Sequence, residues 1–121
     1  MSILAYITDL FFQAQISQTA QAASVEVKVV SSLYQFLPGL EQKPSMVMID
    51  LDAKGISPTT LIAQVREKNP DLPVLAYGAP DQNDLFERAR KAGANTVLPS
   101  EQVSEELKEI LTKYGTTKES P

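Results

Sequence analysis

Two carboxylates, Asp50 and Asp52, close the apolar run Met46-Val-Met-Ile-Asp50-Leu-Asp52, and a third, Asp9, interrupts the apolar stretch that begins at Ile3. An acid in such a place has two kinds of use. It can end a strand and cap the segment that follows, or it can stand at the mouth of a site. If the chain brings Asp9 and Asp50 together, their repulsion is relieved by a proton or by a divalent cation. Hard oxygen ligands suit Mg2+, which keeps several waters and asks for few protein groups. The chain has no His and no Cys. That removes imidazole general-base chemistry, thiol chemistry, ordinary zinc sites and disulfides. No glycine-rich phosphate loop and no nucleophile–base pair is found, so an unrelated small enzyme or nucleotide binder ranks last among the functions considered.

The elements that must position these acids are legible as short apolar runs alternating with segments of helical period. The runs are residues 3–7, 25–30, 46–49, 74–77 and 96–98. Three are nearly continuous in hydrophobicity, as parallel strands covered on both faces are. Run 25–30 alternates with Glu26 and Lys28, the pattern of an edge strand. Between the runs, Leu33, Phe36, Leu37 and Leu40 keep helical spacing, although Pro38-Gly39 is expected to shorten or distort that helix. Ser57-Pro58 reads as an N-cap with proline at the first helical position. Asp81 precedes Leu85, Phe86 and Ala89, and Gly93 is placed to end their helix. Val103, Leu107, Ile110, Leu111 and Tyr114 form the stripe of one last helix, with Ser100 as its expected cap.

Five strand–helix repeats require parallel pairing through right-handed crossovers. The expected fold class is α/β, a doubly wound five-stranded parallel sheet, (βα)5. Its crevice lies at the carboxyl ends of the strands. There the sequence places Thr8, Asp9, Asp50 to Asp52, Gly78, Ala79 and Ser100. At 121 residues and 43% hydrophobic content the chain fits one domain, expected over residues 1–114, with a polar tail or linker start at 115–121. A net charge of −4 argues against nucleic acid and anionic membrane as partners. No apolar run is long enough to span a bilayer and the N-terminus has no basic leader, so a cytoplasmic place is expected.

The segment Lys43-Pro-Ser-Met-Val-Met-Ile-Asp50 resembles the one that leads to the phosphoacceptor of response-regulator receiver domains. Leu72-Pro-Val-Leu-Ala-Tyr-Gly-Ala79 resembles their fourth strand, and Gly93-Ala-Asn-Thr-Val-Leu-Pro-Ser100 the approach to their fifth-strand lysine. The resemblance runs over roughly residues 3 to 114 and implies the flavodoxin-like strand order 2-1-3-4-5. It implies that Asp50 is the phosphoacceptor candidate. It also implies a weak Mg2+ site made by Asp9, Asp50 and the backbone carbonyl of Asp52, and partners that are signalling proteins: a kinase, a phosphotransfer protein or a downstream effector.

Several positions depart from the family pattern. Thr8 replaces the first acid of its pair, Gly78 its strand-4 hydroxyl, Val97 its aromatic switch ring, and Ser100 its lysine, with Glu101 where a proline follows. The loop past the acceptor carries Lys54 and Ser57-Pro58 in place of the usual proline and Asp-Gly. The expectation is therefore an atypical or pseudo-receiver: a non-enzymatic module acting by protein–protein interaction in a two-component or phosphorelay pathway, with weak or absent phosphorylation. The alternative is a working phosphoacceptor that forms an Mg2+-dependent aspartyl phosphate on Asp50.

The first helical segment, residues 10–23, has no charged side chain. Adjacent residues on a helix diverge by about 100°, so Phe11 and Phe12 are not expected both to be fully buried. Phe11, Phe12 and Gln15 are the candidates for a partner surface; packing of both rings under neighbouring loops is the competing reading. Glu101, Glu105, Glu106 and Glu109 read as a solvated face.

Overall fold

The structure is a computed structural model describing residues 2–53 and 55–115. β1 (Ile3–Tyr6) leads into α1 (Leu10–Ala23), and β2 (Val27–Val30) into α2 (Leu33–Glu41). β3 (Met46–Asp50) leads into α3 (Pro58–Lys68), and β4 (Val74–Gly78) into α4 (Asn83–Ala92). β5 (Thr96–Pro99) is followed by α5 (Ser100–Glu105) and α6 (Leu107–Gly115). Every strand pairing is parallel and the order is β2-β1-β3-β4-β5. The doubly wound sheet read from the alternation is the sheet that forms. β1, β3 and β4 are buried along their whole length, whereas β2 at the edge is buried only at Val30.

Strand side chains alternate between faces, and two cores result. Leu4, Tyr6, Ile49 and Ala76 pack with Phe36, Leu61 and Phe86 of α2, α3 and α4. Ala5, Met48, Leu75 and Tyr77 pack with Ile16 of α1 and Leu107 and Leu111 of α6.

Three helices differ from their sequence reading. α2 runs uninterrupted through Pro38. Phe36 and Leu40 are buried, and Phe36 meets the Tyr6 ring edge-on at 5.6 Å. That packing outweighs the one backbone hydrogen bond a proline lacks. Gly39 serves the same contact, since a Cβ there would come 2.7 Å from Leu4 Cδ1. The expected single last helix is two, because Glu106 leaves helical geometry between α5 and α6 (φ −105, ψ 16). The bend still leaves Val103, Leu107, Ile110 and Leu111 all buried. Ser100 is not the cap: Pro99 occupies that position and Ser100 opens α5.

α6 continues through Gly115, which is buried, and a Cβ there would overlap Val25 and crowd Ile3. Residues 116–121 of the expected tail, and Lys54, lie outside the described residues. Among those described, no helix is long and apolar enough to cross a membrane.

Candidate functional site

β1 and β3 are neighbours at the middle of the sheet, so their carboxyl ends deliver Asp9 and Asp50 to the same end of the molecule. Asp50 is the last residue of β3 and, at 6% exposed, the one buried charged side chain among the described residues. Strand alternation puts it on the face of Met46 and Met48, toward α1 and α6. Its Oδ1 accepts the amide of Asp52 at 2.9 Å, which fixes the carboxylate against the turn. Asp9 is exposed and is the N-cap of α1. Its Oδ1 accepts the amides of Phe11 at 2.9 Å and Phe12 at 3.5 Å, as a capping carboxylate does. The cap engages one carboxylate oxygen of the two.

A cavity of about 730 Å³ opens at this place. Asp9, Asp50, Asp52 and Glu101 bring four carboxylates to it, and no lysine or arginine among the described residues lines it. Burial pushes the Asp50 carboxyl up to about 6. The Asp52 amide opposes that rise, and the negative charges of Asp52 and Asp9 add to it.

The sequence reading did not name Tyr77, which faces Asp50. The two are Cα partners in the β3–β4 ladder, so their side chains leave the same face of the sheet. The Tyr77 ring packs on Phe12 at 4.9 Å, tilted by 54°. Its hydroxyl is buried and has no hydrogen-bond partner among the described residues. Burial, and then the charges of Asp50, Asp9 and Asp52, push its pKa up. Aligning the ends of runs 46–49 and 74–77 as neighbouring parallel strands is the signal that would have found it.

Of the positions named from the sequence, Thr8, Asp9, Asp50, Asp52 and Ser100 line the cavity. The Ser100 hydroxyl donates to the Gly78 carbonyl at 3.2 Å. Gly78 and Ala79, expected in the crevice, do not line it. Gly78 follows Tyr77 and so faces the opposite core, where a Cβ would stand 3.2 Å from both Gln82 Oε1 and Leu51 Cβ. Val97 is buried in that same core, opposite Ala76. Phe12 and Gln15 are both half-buried. Phe12 packs on Tyr77 of β4, and Gln15 Nε2 donates to Ser104 Oγ of α5 at 2.6 Å. Phe11 stands on the surface, 89% exposed.

Among the described residues no three Asp, Glu, His or Cys side chains form a metal-binding group. The donor set therefore does not fit a metal stripped of its water. A hydrated Mg2+ needs few protein ligands, and the uncompensated buried charge of Asp50 beside Asp9 fits that ion.

A doubly wound parallel sheet in this order, with Asp50 ending β3 and Asp9 capping the helix after β1, is an α/β module whose crevice lies at the carboxyl ends of its strands. The chain belongs to the response regulator receiver domain family, whose model matches residues 8–112. Receiver domains are signalling modules of two-component systems that meet kinases, phosphotransfer proteins or effectors. The receiver domain of NtrX from Brucella abortus superposes with a TM-score of 0.81 at 15% identity, over 96% of this chain and 99% of that one. A putative response regulator from Chloroflexus aurantiacus gives 0.80 at 22% identity, over 93% and 95%. The Mn2+-bound form of the response regulator Rcp1 gives 0.77 at 15% identity, over 99% and 98%. At such identities the likeness shows the fold. No curated protein matches the sequence.

Proposed function

We propose that this chain is an atypical receiver, a non-enzymatic cytoplasmic signalling module that acts by binding protein partners, with phosphorylation of Asp50 weak or absent. The observation that supports this is the charge of the cavity: four carboxylates and no lining lysine or arginine among the described residues. Phosphoryl transfer to a carboxylate depends on positioning and on neutralising the charge of the equatorial oxygens. Ser100 stands where the family resemblance expects a lysine, and its hydroxyl already donates to Gly78. Loss of one preorganised donor slows such a reaction on the order of 10²–10³-fold, about 3–4 kcal/mol of barrier. Bound Mg2+ would offset part of the negative charge, with Asp9, Asp50 and the Asp52 carbonyl oxygen as its protein ligands.

The readout is affected as well. A ligand shifts an equilibrium only by its differential affinity for the two states. Gly78 offers no side chain for a phosphoryl oxygen to draw, and Val97 carries no ring to follow it.

The alternative, a working phosphoacceptor, is favoured by the placement of a buried Asp50 at the end of β3, on the side of Asp9. Incubation with Mg2+ and a small-molecule phosphodonor separates the two. Little or no hydroxylamine-labile mass increase is expected. A near-stoichiometric adduct that disappears in Asp50→Asn would establish the phosphoacceptor instead.

A further inference from the structure

We propose that the cavity beside Asp50 receives an arginine side chain presented by a protein partner, with Asp50 and Asp9 as counter-charges and the Tyr77 oxygen as a hydrogen-bond acceptor. This deepens the binding-module reading and rests on it.

The first support is charge. Asp9, Asp50, Asp52 and Glu101 converge on one cavity without a lining cation among the described residues. The ion pairs the described residues do make, Lys68 with Glu41 and Arg88 with Asp84, lie elsewhere. A concentration of one sign inside a concave, partly apolar wall raises the local concentration of the opposite charge. The second support is independent of the acids. Tyr77 is 3% exposed, lines the cavity, and carries a hydroxyl with no partner. Buried polar atoms without partners are unfavourable and rare. Because Tyr77 pairs with Asp50 across the ladder, its side chain leaves the sheet on the carboxylate's side.

The walls decide which cation fits. Phe12, half-buried, and Tyr77, buried, both line the cavity, so part of its wall is aromatic. A guanidinium is planar and weakly hydrated, stacks on aromatic faces, and has several N–H groups to divide between carboxylates and a phenol oxygen. A hydrated metal ion makes use of neither ring. The rim suits a polypeptide carrier. Between Asp9 and Phe12 stand Leu10 and Phe11, 75% and 89% exposed, an apolar ledge beside the charged opening. α1 itself is uncharged along all 14 residues, so the charge a partner would read at this end is in the cavity. Arginine is also among the residues enriched at interface hot spots.

The test uses the full chain, isotope-labelled, without phosphodonor. The probe is a short synthetic peptide with one arginine flanked by leucines. Its control replaces arginine by citrulline, which has the same shape and no charge. The arginine peptide is expected to shift the amides of residues 8–12, 50–52, 77 and 100–104, and the citrulline peptide to bind at least about tenfold more weakly. Asp50→Asn is expected to weaken the arginine peptide about tenfold and Tyr77→Phe about threefold, with circular dichroism showing both folded. Equal binding of the two peptides, binding indifferent to both substitutions, or shifts confined to Leu10 and Phe11 would overturn the proposal. So would a cavity that responds to Mg2+ and not to the peptide. A failure here leaves the binding-module reading standing, because that reading is tested separately, by phosphodonor and by phosphoryl mimic.

Discussion

Asp50 is an acid kept where charge is disfavoured, and this has a consequence for stability. Its carboxyl rises from an ordinary 3.8 to about 6 in the folded protein, chiefly through burial. The native state therefore holds the proton more tightly than the unfolded chain does. The stabilisation this gives is full below about pH 4 and is lost as pH climbs through about 6. Unscreened, a shift of this size corresponds to about 3 kcal/mol, and solvent at the open mouth of the cavity reduces it. Asp50→Asn keeps the shape and an oxygen for the Asp52 amide while removing the charge. It is expected to be more stable than the wild type by about 1–2 kcal/mol near pH 8, with the gap closing by about pH 4. Denaturant unfolding of both proteins at the two pH values checks this, and a gap that ignores pH would show that titration of Asp50 is not its source. At this scale the acids were legible, because a carboxylate that closes an apolar run is visible in one dimension. Tyr77 was not, because its place depends on which residue pairs with Asp50 across the ladder.

Elements were read well where their period was strong and less well where packing overrode local preference. Pro38 marks a helix end by propensity, yet the burial of Phe36 and Leu40 carries α2 past it. Arg66, on α3, fastens three segments together. Its Nε donates to the Gly93 carbonyl at 2.9 Å, and Nη1 donates to the Asn69 and Pro70 carbonyls at 3.1 Å each. Nη2 donates to Asn95 Oδ1, which also accepts the Val74 amide at 2.8 Å. Gly93 completes the fit: its φ is +125, and a Cβ would meet Arg66 Cγ at 2.5 Å. Arg66→Ala is expected to cost about 2–3 kcal/mol, measured by thermal or denaturant unfolding. Arg66→Lys should recover little, since one ammonium cannot reproduce a planar fork of donors. A loss below about 0.5 kcal/mol for the alanine variant would mean that solvent replaces the clamp.

For the whole molecule, the question is whether an event at Asp50 travels. The side chains of Asp50 and Tyr77 lie on one face of the sheet, while Gly78 and Val97 belong to the core on the other. With Mg2+ and a phosphoryl mimic, amide shifts are expected to stay near residues 8–12 and 50–53. Shifts spreading through residues 78–102 would show that coupling survives without the hydroxyl and the ring, and would count against the atypical reading.

The sequence by itself determined the (βα)5 alternation, and with it the parallel sheet and the end at which Asp9 and Asp50 stand. Period and turn chemistry are local properties, and right-handed crossovers leave few topologies for that order. Tertiary structure alone decided which face each strand-end residue takes. One step along a strand reverses the side chain, so it sent Tyr77 to the carboxylates and Gly78 to the opposite core. It also decided that Phe12 is a wall of the cavity while Phe11 is surface, because the Phe12 ring packs on Tyr77 of β4 whereas Phe11, one step round α1, faces solvent.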